Sequence, residues 1–324
     1  MTTPLPLIPL LEPIRLEMER VESLLYERLA EVEEPLRSML RHSVGGGKQL
    51  RPALVILIGQ MFARPIAPFR SLAAAVNMLH AATLIHDDLV DEAPMRRGRE
   101  TLHAIWPAGA TVLAGDYLLG QATSLIAELE HPRITKVFAE LLCTMCAGEI
   151  RGALATKGKI GCREEYYRSI EAKTASLFAA AAEMAAMLAG AEESQIAALR
   201  RFGRELGMAF QIVDDVLDFT GDEAQLGKPA GSDLRRGFIT LPVILYLEKA
   251  APDAAVNAVL SGQWDGEQIH AAIEAIRSSG AVEASLMEAC THARRGQEAL
   301  ATLPDSDSRR ILCSLAEYVV ERRW

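Results

Sequence analysis

Apolar residues recur at steps of three and four through almost the whole chain. Ile14, Met18, Val21, Leu25, Leu29, Val32 and Leu36 share one face and predict an amphipathic helix over 14–40. The same spacing predicts helices over 52–63, 69–93, 109–129, 133–156, 163–189, 193–220, 239–250, 266–278, 281–301 and 307–322. Turn chemistry separates them: the triple glycine Gly45-Gly46-Gly47, then Pro94, Pro107, Pro132, Gly190, Gly227 to Gly231 and Pro304. No run of alternating β-branched residues predicts a sheet. The expectation is one all-α domain over 1–324, a large helical bundle, preceded by an extended, proline-rich arm over 1–13.

Composition narrows the class. The 324 residues are half hydrophobic, carry a formal charge of −9, and include only 8 Phe, 6 Tyr and 3 Trp. An acidic chain lacks the basic face that nucleic acid needs, so no nucleic-acid partner is expected. No uncharged run reaches the roughly eighteen residues of a transmembrane span. The first residues have no basic segment resembling a signal peptide, and five cysteines are too few and too odd for a disulfide scaffold. Both point to a cytoplasmic location. Cys143 and Cys146 form an isolated CxxC in an apolar helix and are expected to be buried small residues.

Candidate chemistry sits in two similar stretches. One contains Asp87, Asp88 and Asp91, the other Asp214, Asp215 and Asp218. On a helix, Asp87 shares a face with Asp91, and Asp214 with Asp218. At ~4 Å and an effective dielectric near 20, each like-charge pair costs on the order of 4 kcal/mol. A lone cluster of this kind is commonly a solvated acidic face. Here both are walled by apolar residues such as Ile85, Leu89, Ile212 and Val216, where uncompensated carboxylates are expensive. Hard divalent cations suit them, and Mg²⁺ takes one or two carboxylates together with substrate phosphates. The spacing and the missing glycine exclude an EF-hand.

Lys48, Arg51, Arg96, Arg97, Lys173 and Lys228 are scattered along the chain, and Lys48 after its glycines is not a P-loop. Carboxylates for metal together with several cations suggest a site for two polyphosphate groups, one metal-bridged and one held by Arg and Lys.

These stretches resemble the trans-polyprenyl diphosphate synthases, the head-to-tail chain-elongating enzymes. LIHDDLVDEAPMRRG matches that family's first aspartate-rich region and LGMAFQIVDDVLD its second, with GGGKQLRP, His80, Lys173-Thr174 and GKPAGSDL in the family's order. The resemblance implies an all-α bundle around a deep central cavity, usually a homodimer. It implies Mg²⁺, about three ions per site, with Mn²⁺ as an alternative. Metal ligands would be Asp87, Asp91 and Asp214, with Asp218, Asp88 and Asp215 in partial or supporting roles. Arg96, Lys173, Thr174, Gln211 and Lys228 would contact an allylic diphosphate such as farnesyl diphosphate. Lys48, Arg51, His80 and Arg97 would hold isopentenyl diphosphate. Spacing agrees in part, since Gln211 precedes Asp218, and His80 precedes Asp87, by two turns on the same faces.

Short-chain members place bulky aromatics four or five residues before the first aspartate. Here those positions are Thr83 and Ala82, with Met78, Ala75 and Ala74 deeper on that side. A lysine often found before Thr-Leu-Pro is Phe238 here, which puts one diphosphate contact in doubt. The resemblance therefore implies a product of about C30 or longer, with a farnesyl or geranylgeranyl diphosphate synthase, or a non-catalytic subunit of a heteromeric synthase, as alternatives. A terpene cyclase would carry a different second metal motif, and a metal buffer would not need the cations.

Overall fold

A computed structural model describes residues 7–44, 49–96, 98–154, 162–221, 230–249, 253–262 and 264–322. The helices are α1 Leu7–Leu11, α2 Arg15–Ala30, α3 Leu36–Ser43, α4 Leu50–Met61, α5 Ala67–Val90, α6 Leu102–Ile105, α7 Ala108–Ala127 and α8 Pro132–Leu154. They continue with α9 Arg163–Ile170, α10 Ser176–Leu188, α11 Glu193–Thr220, α12 Ser232–Arg235, α13 Leu241–Lys249, α14 Ala254–Leu260, α15 Gly266–Ser278, α16 Ala281–Leu300 and α17 Asp307–Glu321. Among the described residues the bundle is all-α apart from one ribbon, β1 Met95–Arg96 paired antiparallel with β2 Arg99–Glu100.

Three expectations are corrected. The described part of the N-terminal arm is not extended: Leu7–Leu11 is helical, Glu12–Ile14 is a 3-10 turn, and Leu7, Leu10 and Leu11 pack on the main core. Pro9 falls in a first turn, where no amide donor is missed. The helix expected over 14–40 breaks between Ala30 and Leu36, because Pro35 has no amide to continue the ladder. Its apolar phase carries across the gap, which is why periodicity alone runs through it. The ribbon was not anticipated either; Pro94 ends the stretch after α5 and Gly98, at φ +74°, allows the tight return.

α10 is central, and its alanines Ala181, Ala182, Ala185 and Ala186 are wholly buried beside Ala73, Ala74 and Ala75 of α5. The crossing of α10 with α11 is close enough to require glycine. A Cβ at Gly203 would lie 2.4 Å from the Phe178 carbonyl oxygen, and one at Gly207 would lie 2.6 Å from Ala175 Cα. The helix expected over 163–189 is continuous but widens into a π turn at Glu171–Ala175. Such single π turns frequently mark functional positions. Here it carries Lys173 and Thr174, which the Gly207 contact brings against α11.

Candidate active site

The first aspartate-rich segment is the last turn of α5, and Asp91 is its C-cap. Each acid meets a cation from elsewhere. Asp87 Oδ2 lies 3.1 Å from Lys173 Nζ, which also reaches Glu149 Oε1 at 3.0 Å. Asp88, only 7% exposed, accepts from Arg96 Nε at 2.7 Å, an arginine delivered by the ribbon. Asp91 meets Arg236 Nη2 at 3.1 Å. Burial raises the Asp88 carboxyl and outweighs the opposing charge of Arg96. Burial would lower the Lys173 ammonium, but Asp87 and Glu149 together raise it, so the lysine stays charged. Burial likewise raises Glu149 against the pull of Lys173.

The second segment is set differently, inside α11. Thr174 Oγ1 donates to Gln211 Oε1 at 2.7 Å, and Gln211 Nε2 donates to Asp215 Oδ1 at 2.9 Å. The Tyr166 hydroxyl donates to Asp215 Oδ2 at 2.6 Å. Burial pushes the Asp215 carboxyl up to about 7, with the hydrogen bonds from Tyr166 and Gln211 pulling the other way. Asp218, 1% exposed, accepts the Asp233 amide at 3.0 Å and ties α11 to α12. Asp214 alone remains open, its side chain 41% exposed, and Arg322 Nη1 meets it at 2.7 Å. Thus the two segments are joined across the cleft by the π turn, which grips Asp87 with Lys173 and the Asp215 network with Thr174.

Known proteins resemble this chain in both sequence and fold. The model of the family described as Polyprenyl synthetase matches residues 33–276. The heptaprenyl diphosphate synthase component 2 of Geobacillus stearothermophilus is 36% identical over 95% of this chain and 100% of its own. The nonaprenyl diphosphate synthase of Mycobacterium tuberculosis is 35% identical over 95% and 93%. Among solved structures, a polyprenyl synthase from Caulobacter crescentus, complexed with calcium and isoprenyl diphosphate, superimposes with a TM-score of 0.93 at 33% identity over the full length of both chains.

The chain belongs to the polyprenyl synthetase family.

It is accordingly a prenyltransferase, and the remaining residues can be placed in that light. Arg51 Nη1 lies 3.1 Å from His80 Nε2, so these two expected isopentenyl diphosphate residues stand together. The Arg51 guanidinium rests over the Phe178 ring at 4.4 Å. Lys48, Arg97 and Lys228 lie outside the described residues. Of the chain-length positions on α5, Met78 and Ala82 are buried and Thr83 is half-buried, donating to the His80 carbonyl at 2.8 Å. The half-buried positions Asn77, His80, Leu84 and Asp87 form a stripe along α5 leading away from the acids.

Several partners were not anticipated from the sequence: Glu149, Tyr166, Arg236, Arg322 and the Phe178 platform. Arg236 lies two residues past the GSDL stretch and was the most discoverable; the others come from segments whose patterns carry no sign of the site. Cys143 and Cys146 are exposed rather than buried, because α8 turns Leu141 and Met145 to the core and both cysteines outward.

The donor chemistry suits a divalent cation. Asp87, Asp91 and Asp214 are hard oxygen donors with accessible side chains, each balanced by a protein cation. Among the described residues no ready-made group of three metal-ligating side chains exists.

Proposed function

We propose that this prenyltransferase condenses isopentenyl diphosphate with an allylic diphosphate such as farnesyl diphosphate, and repeats the step to an all-trans product of about C30 or longer. The observation that carries the reading is the π turn: one short segment places Lys173 on Asp87 and Thr174 on the Gln211–Asp215 network. Asp87, Asp91 and Asp214 would hold Mg²⁺, with Asp218, Asp88 and Asp215 supporting them. Bound there, Mg²⁺ neutralises the diphosphate and makes it a better leaving group.

The chain's own residues do the rest. Arg96 and Lys173 hold the allylic diphosphate, with Lys228 joining them. Arg51 and His80, with Lys48 and Arg97, hold isopentenyl diphosphate in reach of the allylic carbon. As the C–O bond ionises, positive charge develops on that carbon. The oxygen dipoles of Thr174 and Gln211 and the carbonyls of the π turn stabilise it from fixed positions. The double bond of isopentenyl diphosphate attacks, and the departing diphosphate takes the released proton. The growing tail passes along α5 away from Asp87, past Thr83, Ala82 and Met78, none of them aromatic.

We also propose a homodimer. Leu113, 66% exposed on α7, lines a groove together with Pro35, Leu36, Met39 and Tyr117. A face of this kind suits a second copy of the chain. No described helix is long and apolar enough to cross a membrane. The free cysteines suit the reducing cytoplasm proposed as its location.

The test is direct. Pure protein is incubated with Mg²⁺, isopentenyl diphosphate and farnesyl diphosphate, and product length is measured. Elongation to about C30 or beyond is expected. A product ending at geranylgeranyl diphosphate would make this a short-chain enzyme, and no product would support a non-catalytic subunit.

A further inference from the structure

Phe238 occupies the place where a lysine is often found, yet the corner around it is not short of charge. It is 48% exposed, and the guanidinium carbon of Arg236 lies over its ring at 5.3 Å. Gly237, at φ +83°, reverses the backbone between them, and the Gly237 and Phe238 amides close the corner on Leu234 and Asp233 carbonyls at 3.0 and 2.9 Å. This corner holds the two side chains in a stack.

Arg236 then reaches across the cleft to the other aspartate segment. Its Nη2 lies 3.1 Å from both Asp91 Oδ2 and the Asp91 carbonyl oxygen. Nε and Nη1 make no hydrogen bond to any described residue, so most of the donor fork is uncommitted. The preceding Arg235 turns the other way, onto the Ala230 carbonyl at 3.1 Å. A flat cation on an aromatic platform, presenting a spare fork beside an open carboxylate, has the shape and charge that a diphosphate oxygen pair requires.

We propose that Arg236, aimed by Phe238, is a diphosphate-binding residue of this enzyme. It holds Asp91 in the free protein and transfers to the metal-bridged allylic diphosphate when that substrate enters. Arg236 so supplies the charge that Phe238 removes from the neighbouring position. The inference rests on the reading that the cleft takes an allylic diphosphate.

Steady-state kinetics and calorimetric titration with inorganic pyrophosphate in Mg²⁺ test it. For Arg236→Ala, the KM for farnesyl diphosphate and the Kd for pyrophosphate are each expected to rise about tenfold, the size of one lost charge-assisted contact. The KM for isopentenyl diphosphate should stay within about twofold and kcat should change less than either. Phe238→Ala should give about a threefold rise, since it loosens the aim and keeps the charge. Phe238→Lys in the Arg236→Ala background should recover most of the loss, which a merely structural corner would not do. Arg236→Ala with wild-type farnesyl KM and pyrophosphate affinity would overturn the proposal and leave the prenyltransferase reading intact. A wild-type protein that neither binds pyrophosphate nor makes prenyl product would overturn both.

Discussion

The two aspartate-rich segments look alike in sequence and are held by opposite means. At the end of α5 the helix is finishing, and all three acids are balanced by cations: Lys173, Arg96 and Arg236. In α11 the acids lie in the last two turns, and the helix ends at Thr220, two residues past Asp218. Asp215 and Asp218 are buried and accept hydrogen bonds from Tyr166, Gln211 and the Asp233 amide, while the more open Asp214 meets Arg322. The difference teaches that one motif can serve as a mobile charge clamp in one place and as a rigid wall in another. Ion pairs that reach solvent can be exchanged for other charged partners. Hydrogen-bonded buried carboxylates cannot move without leaving polar groups unpaired. Asp214, the one open acid of the rigid wall, is therefore the member that should behave like the clamp.

That equivalence is tested first by the largest expected effect. Asp87→Asn and Asp214→Asn should each slow turnover by about three orders of magnitude, about 4 kcal/mol, with the helical circular dichroism unchanged. Near-normal turnover in Asp214→Asn would show that the second segment is wall throughout.

The tail's route comes next. Ala82 holds a chain-length position of the family, so Ala82→Phe should shorten the product by several isoprene units; because Ala82 belongs to the core cluster of Leu29, Met39 and Leu118, the ring should also cost about 1–3 kcal/mol of stability. Thr83 lies beside the half-buried stripe, and Thr83→Phe should shorten the product with a smaller drop in Tm. Unchanged product length in both variants would move the stop to another helix.

Arg322 gives a smaller effect. Its side chain is 4% exposed, donates to the Phe210 carbonyl at 2.6 Å, and meets the more exposed Asp214. Removing one partner of a buried pair costs several kcal/mol, and the exposure of Asp214 reduces this. Arg322→Ala is expected to lose about 1–2 kcal/mol, seen as a Tm lower by about 2–3 °C. A Tm equal to wild type would mean the pair only screens charge.

The smallest effect concerns the anchoring of α11 from behind. Glu205 Oε2 and His292 Nδ1 are 2.6 Å apart in the interior. Burial raises the Glu205 carboxyl, but the hydrogen bond and charge of His292, with Arg204, outweigh it and hold the group below its usual 4.5. A depressed carboxylate contributes stability above the unfolded-state pKa and loses it as pH falls through the folded one. Urea unfolding should therefore show Glu205→Gln less stable than wild type at pH 6 by about 1 kcal/mol or less, with the gap narrowing below about pH 4.5. A gap independent of pH would assign the pair to packing alone.

The helices and both acid segments were legible because each depends on residues a few positions apart. Glu193–Thr220 and Gly266–Ser278 fall at the predicted bounds. The break at Pro35 was hidden because Leu36, Met39 and Leu40 keep the apolar phase of α2. The outward turn of Cys143 and Cys146 was hidden because an apolar helix reveals its composition before its orientation.

Sequence by itself determined an all-α chain with two carboxylate clusters, a set of cations and no aromatic at the two positions four and five residues before Asp87, because periodicity, charge and side-chain volume are local properties. Only the tertiary structure decided which cation meets which acid, that Lys173 and Thr174 ride on a π turn, and that Asp215 is buried while Asp214 is open. Those outcomes depend on the approach of helices distant in sequence, fixed by close contacts such as Gly203 and Gly207 against α10 and the π turn. Burial and pairing energies arise only once those surfaces meet.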